Sequence, residues 1–380
     1  MIDAFSRVFR DLIGRPSAGA HRAEESSVIA LPPGGMPVDA LIAELGLKAD
    51  ESPIRERRVW HPPRRVLVNG ASQSLLEWLQ PAAPTVELIS VTGADVGESM
   101  VDDADAIIGW HTPGMVRRGR RLAWLQTHTA DVGWALRSPE IIERGIVVTS
   151  VKRVAGPVIA EHVFAMLLCL TRRLGDYREY QIRRRWAQFR IPEGSLGTLR
   201  GKTLLLAGLG GIGAEVARLG HAFGMQTMAV TSGAAPAPPA VDAAGSTGEL
   251  DTMLGMADVV VNALPHTRET EGLFDARRFA RMKRGALFVN VGRGASVVTD
   301  ALVDALRSGQ VGAAALDVID PEPLPPRHPL WRMRNVLITP HVAGLGQATH
   351  ERIWLLIREN LRRFAAGEPM LSVVDPDRGY

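Results

Sequence analysis

Four segments of the chain carry residue types that can do chemistry together. The run Gly208-Leu209-Gly210-Gly211-Ile212-Gly213 follows an apolar stretch, Thr203 to Ala207, and leads into Ala214, Val216 and Ala217 at helical spacing. In a strand-turn-helix setting, Gly208 permits a tight turn, Gly210 lets the backbone approach a pyrophosphate and Gly213 permits close helix packing. The helix start then offers free N–H groups to the anion. A dinucleotide is the expected ligand. Further along, Arg293 stands between Gly292 and Gly294 after Phe288-Val289-Asn290-Val291. Glu322 lies in Asp320-Pro321-Glu322-Pro323, after Asp317, and His341 follows Thr339-Pro340. A guanidinium can engage the carboxylate and carbonyl oxygens of a 2-oxo acid in one plane, which a lysine cannot. A histidine held by a carboxylate keeps imidazolium available near neutral pH, ready to give a proton to a carbonyl oxygen as hydride reaches carbon. Taken singly, these residues read as a surface arginine, a loop carboxylate and a structural histidine. Their combination is the specific signal.

The elements that must position them alternate. Val66 to Val68, Val86 to Val91, Ala106 to Gly109 and Trp124 to Thr127 read as strands, with a helix from Ser72 to Leu79. Crossovers of this length exclude hairpins and imply a parallel sheet covered by helices on both faces. A long helix from about Pro157 to Arg173 leads into a second series. There Thr203 to Ala207, Thr227 to Val230, Val259 to Ala263, Leu287 to Val291, Ala313 to Asp317 and Val336 to Ile338 give six buried strands, the number of a dinucleotide-binding sheet. Arg293, Glu322 and His341 then fall beyond the carboxyl ends of successive strands, where ligands of such sheets bind. The helix from Ala348 to Phe364 comes too late for that sheet and is expected to return to the first domain.

At 380 residues the chain exceeds one ordinary core and predicts two domains. Its net charge of +3 makes no strong field, so nucleic acid is not an expected partner. The cluster Arg183-Arg184-Arg185-Trp186 reads as a charged helix face beside a packed tryptophan. Cys169, the single cysteine, lies in an apolar helical run and reads as a small buried hydrophobe, which fits a reducing cytoplasm. That run holds Glu161 and His162 and is too short to span a membrane. Near the start, Ile2 to Ile13 has helical spacing and ends at Gly14. Arg15 to Gly35 reads as a linker, and Val38 to Leu47 as a second short helix. No metal-ligand cluster is expected.

The second strand of the dinucleotide series ends in Thr231, Ser232 and Gly233, without the acid that usually holds a ribose 2′-hydroxyl, and Asp242 lies too far along to replace it. The missing repulsion leans the choice toward NADP and leaves NAD open.

The spacing from Arg293 through Asp317 and Glu322 to His341, with Leu264-Pro265 before it and Pro329-Leu330-Trp331 within it, resembles the catalytic signature of the D-isomer-specific 2-hydroxyacid dehydrogenases, in particular those like glyoxylate/hydroxypyruvate reductase. The likeness runs from about Arg65 to the closing Asp375-Pro376-Asp377-Arg378-Gly379-Tyr380. It implies an α/β protein of two doubly wound parallel-sheet domains. A flavodoxin-like substrate domain would occupy residues 61–157, completed by 345–380, and a Rossmann NAD(P)-binding domain residues 158–344, after an N-terminal extension of residues 1–60. A cleft between the domains and a homodimer built on the Rossmann side are also implied. So is reversible hydride transfer between NAD(P)H and a 2-oxo acid, giving a D-2-hydroxy acid, with glyoxylate or hydroxypyruvate as first candidates.

Carried over by residue, Arg293 would hold and polarise the substrate, Glu322 would orient His341, and His341 would be the acid/base. Asp317 would contact the nicotinamide carboxamide. Gly208, Gly210, Gly211, Ile212, Gly213, Thr231, Ser232, Leu264, Pro265 and Val291 would complete the cofactor site, together with Arg293 and His341. Glu161 would be structural. Ala130, Asp131 and Val132 would form the loop for the substrate carboxylate, with Asp131 standing where the family usually has glycine. The family also includes dinucleotide-sensing transcriptional co-regulators, a rival reading that the complete Arg293, Glu322 and His341 set disfavours. A methyltransferase would need none of the three.

Overall fold

The computed structural model describes residues 36–92, 99–232 and 237–376. The helix expected from Ile2 to Ile13, the linker that follows it and the final four residues lie outside the described residues. The chain divides into two units. One runs to Val154 and resumes at Gln347; the other is Ala155–Gly346.

In the first unit, β1 (Arg65–Asn69), β2 (Glu87–Val91), β3 (Ala106–Ile108), β4 (Trp124–Gln126) and β5 (Val147–Thr149) form a wholly parallel sheet in the order β2-β1-β3-β4-β5. This is the flavodoxin-like order. Helices cover both faces, so β3, β4 and β5 are buried at every position. Local chemistry starts the helices. Ser72 accepts from Leu75 N–H at the head of α2 (Gln73–Leu79), which follows α1 (Val38–Leu45). Thr112 accepts from Met115 N–H at the head of α3 (Pro113–Arg118), where Pro113 gives up no needed donor. A short α4 (Glu140–Arg144) closes on Gly145 at φ +69°.

The last helix, Gln347–Ala366, packs into this unit. Its Phe364 ring lies 5.0 Å from that of Trp124, and its Asn360 bonds to Gln126 Oε1 at 2.9 Å.

In the second unit, α5 (Gly156–Thr171) and α6 (Leu174–Ile182) precede a seven-stranded parallel sheet. Its strands are β6 (Thr203–Ala207), β7 (Gln226–Val230), β8 (Ala243–Gly245), β9 (Val259–Asn262), β10 (Ala286–Asn290), β11 (Val311–Leu316) and β12 (Val336–Ile338). The order β12-β11-β10-β9-β6-β7-β8 is the Rossmann order with one strand added beyond the sixth. The expectation of six strands missed β8, an exposed Ala-Ala-Gly edge without branched side chains. Helices α7 (Gly211–Ala222), α8 (Leu250–Leu254), α9 (Ala276–Arg281) and α10 (Thr299–Arg307) pack on the faces.

Two surface readings need correction. Arg183 to Arg185 follow the end of α6, and Trp186 is 93% exposed, so there is no packed tryptophan behind a helical charge face. Cys169 is only partly buried.

Candidate active site

The Gly-rich turn begins where β6 ends. Gly208 has φ +100°, and a Cβ there would stand 3.0 Å from Ala263 O, at the end of the neighbouring β9. A Cβ on Gly213 would meet Gly208 O at 2.1 Å, so only glycine lets α7 start this close beneath the turn. A Cβ on Gly210 would meet nothing within 4 Å, which leaves its outer side open to an approaching group. No side chain caps α7, whose first N–H groups lie beside that opening. Tight packing below and open, uncapped amides above fit the pyrophosphate of a dinucleotide.

Beyond the carboxyl ends of β9 and β10, a buried polar network sets the backbone. Asn262 Nδ2 donates to Asn290 Oδ1 at 2.9 Å and to Ser296 Oγ at 2.6 Å, and Ser296 Oγ donates to the Arg293 carbonyl at 2.6 Å. Leu264 N–H reaches Asn262 Oδ1 at 3.3 Å, and Gly292 N–H reaches Asn290 Oδ1 at 3.2 Å. Leu264-Pro265 and Val291-Gly292-Arg293 are thus fixed by one set of bonds. Gly292 and Gly294 are required by close approach: a Cβ would stand 2.7 Å from Leu264 O on the first and 2.2 Å from Ile319 C on the second. Arg293 is extended at φ −138° and partly buried, and its Nη1 donates to Gly292 O at 2.7 Å.

Glu322 and His341 follow the two next strands in the sheet, β11 and β12. Glu322 Oε1 lies 2.8 Å from His341 Nδ1, with side chains 34% and 27% exposed. If Nδ1 carries the proton it donates to the carboxylate, which fixes the tautomer and the direction of the ring. His341 has φ +57°, and its loop is held from below by Asp317. The Asp317 carbonyl accepts His341 N–H at 2.9 Å. Its Oδ1 accepts Thr339 Oγ1 at 2.6 Å and Val342 N–H at 2.9 Å, and its Oδ2 accepts Ala343 N–H at 3.0 Å. Asp317 is 4% exposed. Its carboxylate is committed to shaping the loop, and the carboxamide contact implied by the resemblance is left to one remaining lone pair on Oδ2. Behind it, His162 Nε2 on α5 lies 3.0 Å from Thr339 Oγ1.

Residue types alone could not reveal Asn262, Ser296, Thr339 or His162 as parts of this site. The only signals were a polar residue ending a buried strand and the threonine before Pro340.

The remaining candidates stand as follows. Thr231 follows β7 with its N–H given to Gly245 O at 3.1 Å, and Ser232 is exposed beside it. In the first unit, Val132 is 1% exposed and spent on the core, so only its backbone is left for a ligand. Ala130 and Asp131 are exposed. Asp131 Oδ1 accepts Gly133 N–H at 3.0 Å, a side-chain turn that the usual glycine could not make. Trp134 Nε1 reaches Asp131 O at 3.0 Å and Thr129 Oγ1 at 3.1 Å, bracing the loop. Among the described residues, no helix is long and apolar enough to cross a membrane, and no cluster of His, Cys, Asp and Glu is arranged to hold a metal ion.

A pyrophosphate-accepting turn, with a guanidinium and a carboxylate-bound imidazole beyond the same sheet edge, is the apparatus of a dinucleotide-dependent dehydrogenase. Comparison with known proteins narrows the class. The family profile for the D-isomer specific 2-hydroxyacid dehydrogenase NAD binding domain matches residues 164–343. Glyoxylate reductase of Aeropyrum pernix is 38% identical over 235 residues, 61% of this chain and 70% of that protein. An uncharacterized protein of Corynebacterium melassecola is 44% identical over 186 residues, 47% of this chain and 59% of that protein. Among solved structures, a D-isomer specific 2-hydroxyacid dehydrogenase from Xanthobacter autotrophicus Py2, in complex with NADPH and MES, superposes with a TM-score of 0.72 at 30% identity over 84% of this chain and 100% of that one. The chain belongs to the D-isomer-specific 2-hydroxyacid dehydrogenase family.

Proposed function

We propose that this protein reduces a 2-oxo acid to the D-2-hydroxy acid, reversibly, with His341 as the acid/base. Family membership makes it an NAD(P)-dependent oxidoreductase acting on a 2-oxo or 2-hydroxy acid. The direction of proton flow and the residue roles are our reading, and the 2.8 Å His341–Glu322 contact is the observation that carries it. Bound nicotinamide supplies or accepts the hydride. Arg293 binds the substrate carboxylate and carbonyl oxygens, drawing charge toward the oxygen. His341 gives its proton to that oxygen in reduction and takes it back in oxidation, while Glu322 holds the imidazolium. Asp317 and Thr339 set the loop that aims the ring. Asn262, Asn290 and Ser296 do the same for Arg293.

Glyoxylate and hydroxypyruvate are the first substrates to try, since the Aeropyrum pernix relative is named a glyoxylate reductase. NADPH is expected to serve at least as well as NADH, because Thr231 and Ser232 offer hydroxyls and no repelling charge; the Xanthobacter protein was solved with NADPH. A homodimer fits the exposed apolar run of Ile182, Trp186 and Phe189, which are 67%, 93% and 89% exposed; a monomer in sedimentation velocity would remove that part. The lone Cys169 suits a reducing cytoplasm.

The test is a panel of 2-oxo acids followed by cofactor absorbance with each dinucleotide, with chiral analysis of the product. His341→Gln is expected to lose roughly 100- to 10,000-fold in turnover with dinucleotide binding retained. An L-product, or turnover near the parent value in His341→Gln, overturns the assignment.

A further inference from the structure

One cavity of the second unit lies away from the sheet edge that carries the Gly-rich turn, Arg293 and His341. A cleft of about 520 Å³ crosses the opposite, amino edge of the sheet, at the starts of β12, β11, β10, β9 and β6. Five neighbouring strands about 4.8 Å apart make it roughly 19 Å long. Its volume is that of a small-metabolite site.

The cleft is cationic. Arg173, Lys202, Lys283, Arg284 and Arg334 line it, and the only acid among the lining residues is Asp258. Three of the five cations have carboxylate partners. Lys283 lies 3.2 Å from Asp258, Arg173 lies 2.5 Å from Asp176, and Arg334 lies 3.5 Å from Glu179. Asp258 is itself committed, accepting Thr203 N–H at 2.9 Å. Burial pushes its carboxyl up, but the Thr203 amide, Lys283 and Lys202 together hold it below the usual carboxylate range.

Lys202 and Arg284 are different. Arg284 donates to the neutral Ser308 carbonyl at 2.9 Å, which leaves its charge unbalanced. Among the described residues, neither it nor Lys202 has a carboxylate within 4 Å, and Lys202 shares the more distant Asp258 with Lys283. They precede β6 and β10, two strand spacings apart in the sheet, which is roughly 10 Å between the backbones. Lys202, Lys283 and Arg284 against the single lining carboxylate of Asp258 leave the cleft a net positive potential.

We infer that this amino-edge cleft is a second binding site, for a small organic polyanion whose two anionic groups are received by Lys202 and Arg284. The shared chemistry is multiply charged oxyanion, from phosphate or from carboxylate.

The full chain is titrated calorimetrically at low salt with tripolyphosphate in one arm and citrate in the other. At least one arm is expected to bind, with affinity falling as salt rises. Lys202→Gln with Arg284→Gln should weaken it about tenfold for each cation removed, the loss of one charge-assisted hydrogen bond apiece. Arg293→Gln should leave that binding unchanged. Tripolyphosphate alone binding assigns a phosphorylated ligand, and citrate alone a polycarboxylate. Both exchanged side chains are exposed, so the melting temperature should move little.

A second measurement needs no variant. Bound anion should protect Lys202 from amine acetylation, read by mass spectrometry, with exposed Lys48 as internal control. The inference is overturned by the absence of binding in both arms. It is equally overturned by affinity unchanged in the double variant, meaning an adventitious ion only or occupation of the Gly-rich turn, or by loss in Arg293→Gln alone. Protection of Lys202 that tracks protein concentration instead of anion would mean a second copy of the chain covers the cleft, and also overturns it.

Discussion

Replacing Glu322 by Gln keeps the shape of the pair with His341 and removes its charge. The contact is 2.8 Å, with 34% of the carboxylate side chain and 27% of the imidazole side chain exposed. Two unit charges about 4 Å apart attract by roughly 4 kcal/mol at an effective dielectric of 20, and by about 1 kcal/mol in bulk water. A third of the glutamate faces solvent, so screening brings the value toward the lower end, at about 1–2 kcal/mol. That energy is withdrawn from the proton-donating ring when the charge is removed, and about 1.4 kcal/mol corresponds to a tenfold change in rate. In Glu322→Gln, kcat/KM for reduction of a 2-oxo acid should therefore fall by roughly tenfold or more. The assay is kcat/KM at saturating cofactor, paired with a measurement of dinucleotide binding, which should stay at the parent value. An unchanged or raised kcat/KM would refute the pairing, and a loss explained by weaker dinucleotide binding would place Glu322 in the cofactor site instead.

Three further outcomes are expected. Thr339→Val removes the hydroxyl between His162 and Asp317; it should lower kcat about tenfold or more with KM for dinucleotide unchanged, and a loss confined to KM would show that the loop does not aim His341. Asp131→Gly removes a charge and frees Gly133 N–H from the Asp131 carboxylate; KM for glyoxylate or hydroxypyruvate should fall with kcat little changed, and a risen KM would make Asp131 a contributor to binding. His128, with Nε2 buried and unbonded among the described residues, is pushed down to about 4 by burial and by nearby His350. The unfolded chain binds that proton near pH 6.5, so the stability it represents is full above that pH and is lost as pH falls toward 4, by up to about 3 kcal/mol. Urea midpoints should therefore drop from pH 7 to pH 4.5, more steeply in the parent than in His128→Gln, and equal slopes would clear His128 of the effect.

The parts legible in the sequence are those where one residue type admits one physical explanation. Gly213 is readable because nothing larger fits 2.1 Å from a carbonyl, and Gly292 and Gly294 because they flank an arginine at a strand end. The β6 and β9 runs are readable because a strand covered on both faces is apolar at consecutive positions. Where several environments suit one residue, the sequence was silent. Val147–Thr149 is too short to show a period, and Leu174–Ile182 has no apolar stripe because none of its residues is buried. The Asn262–Ser296 and His162–Thr339 contacts join residues 34 and 177 positions apart. Neither partner is unusual in its own segment.

His341 shows why those silent residues matter. A non-glycine residue at φ +57° costs of order 1–2 kcal/mol, and a histidine left to itself would relax out of that conformation. The conformation persists because Asp317 is buried between β11 and the loop and must find donors. Its carboxylate takes the amides of Val342 and Ala343 and the hydroxyl of Thr339, and its backbone carbonyl takes the amide of His341. Three bonds to the carboxylate and one to the carbonyl of the same residue more than offset the strain, and they leave the loop one arrangement. The ring direction then follows from the backbone, and Glu322 completes it from the side. An aspartate that reads as a cofactor ligand in the sequence thus acts first on the loop of His341, and under the proposed mechanism that histidine would depend on a carboxylate that its ring does not touch.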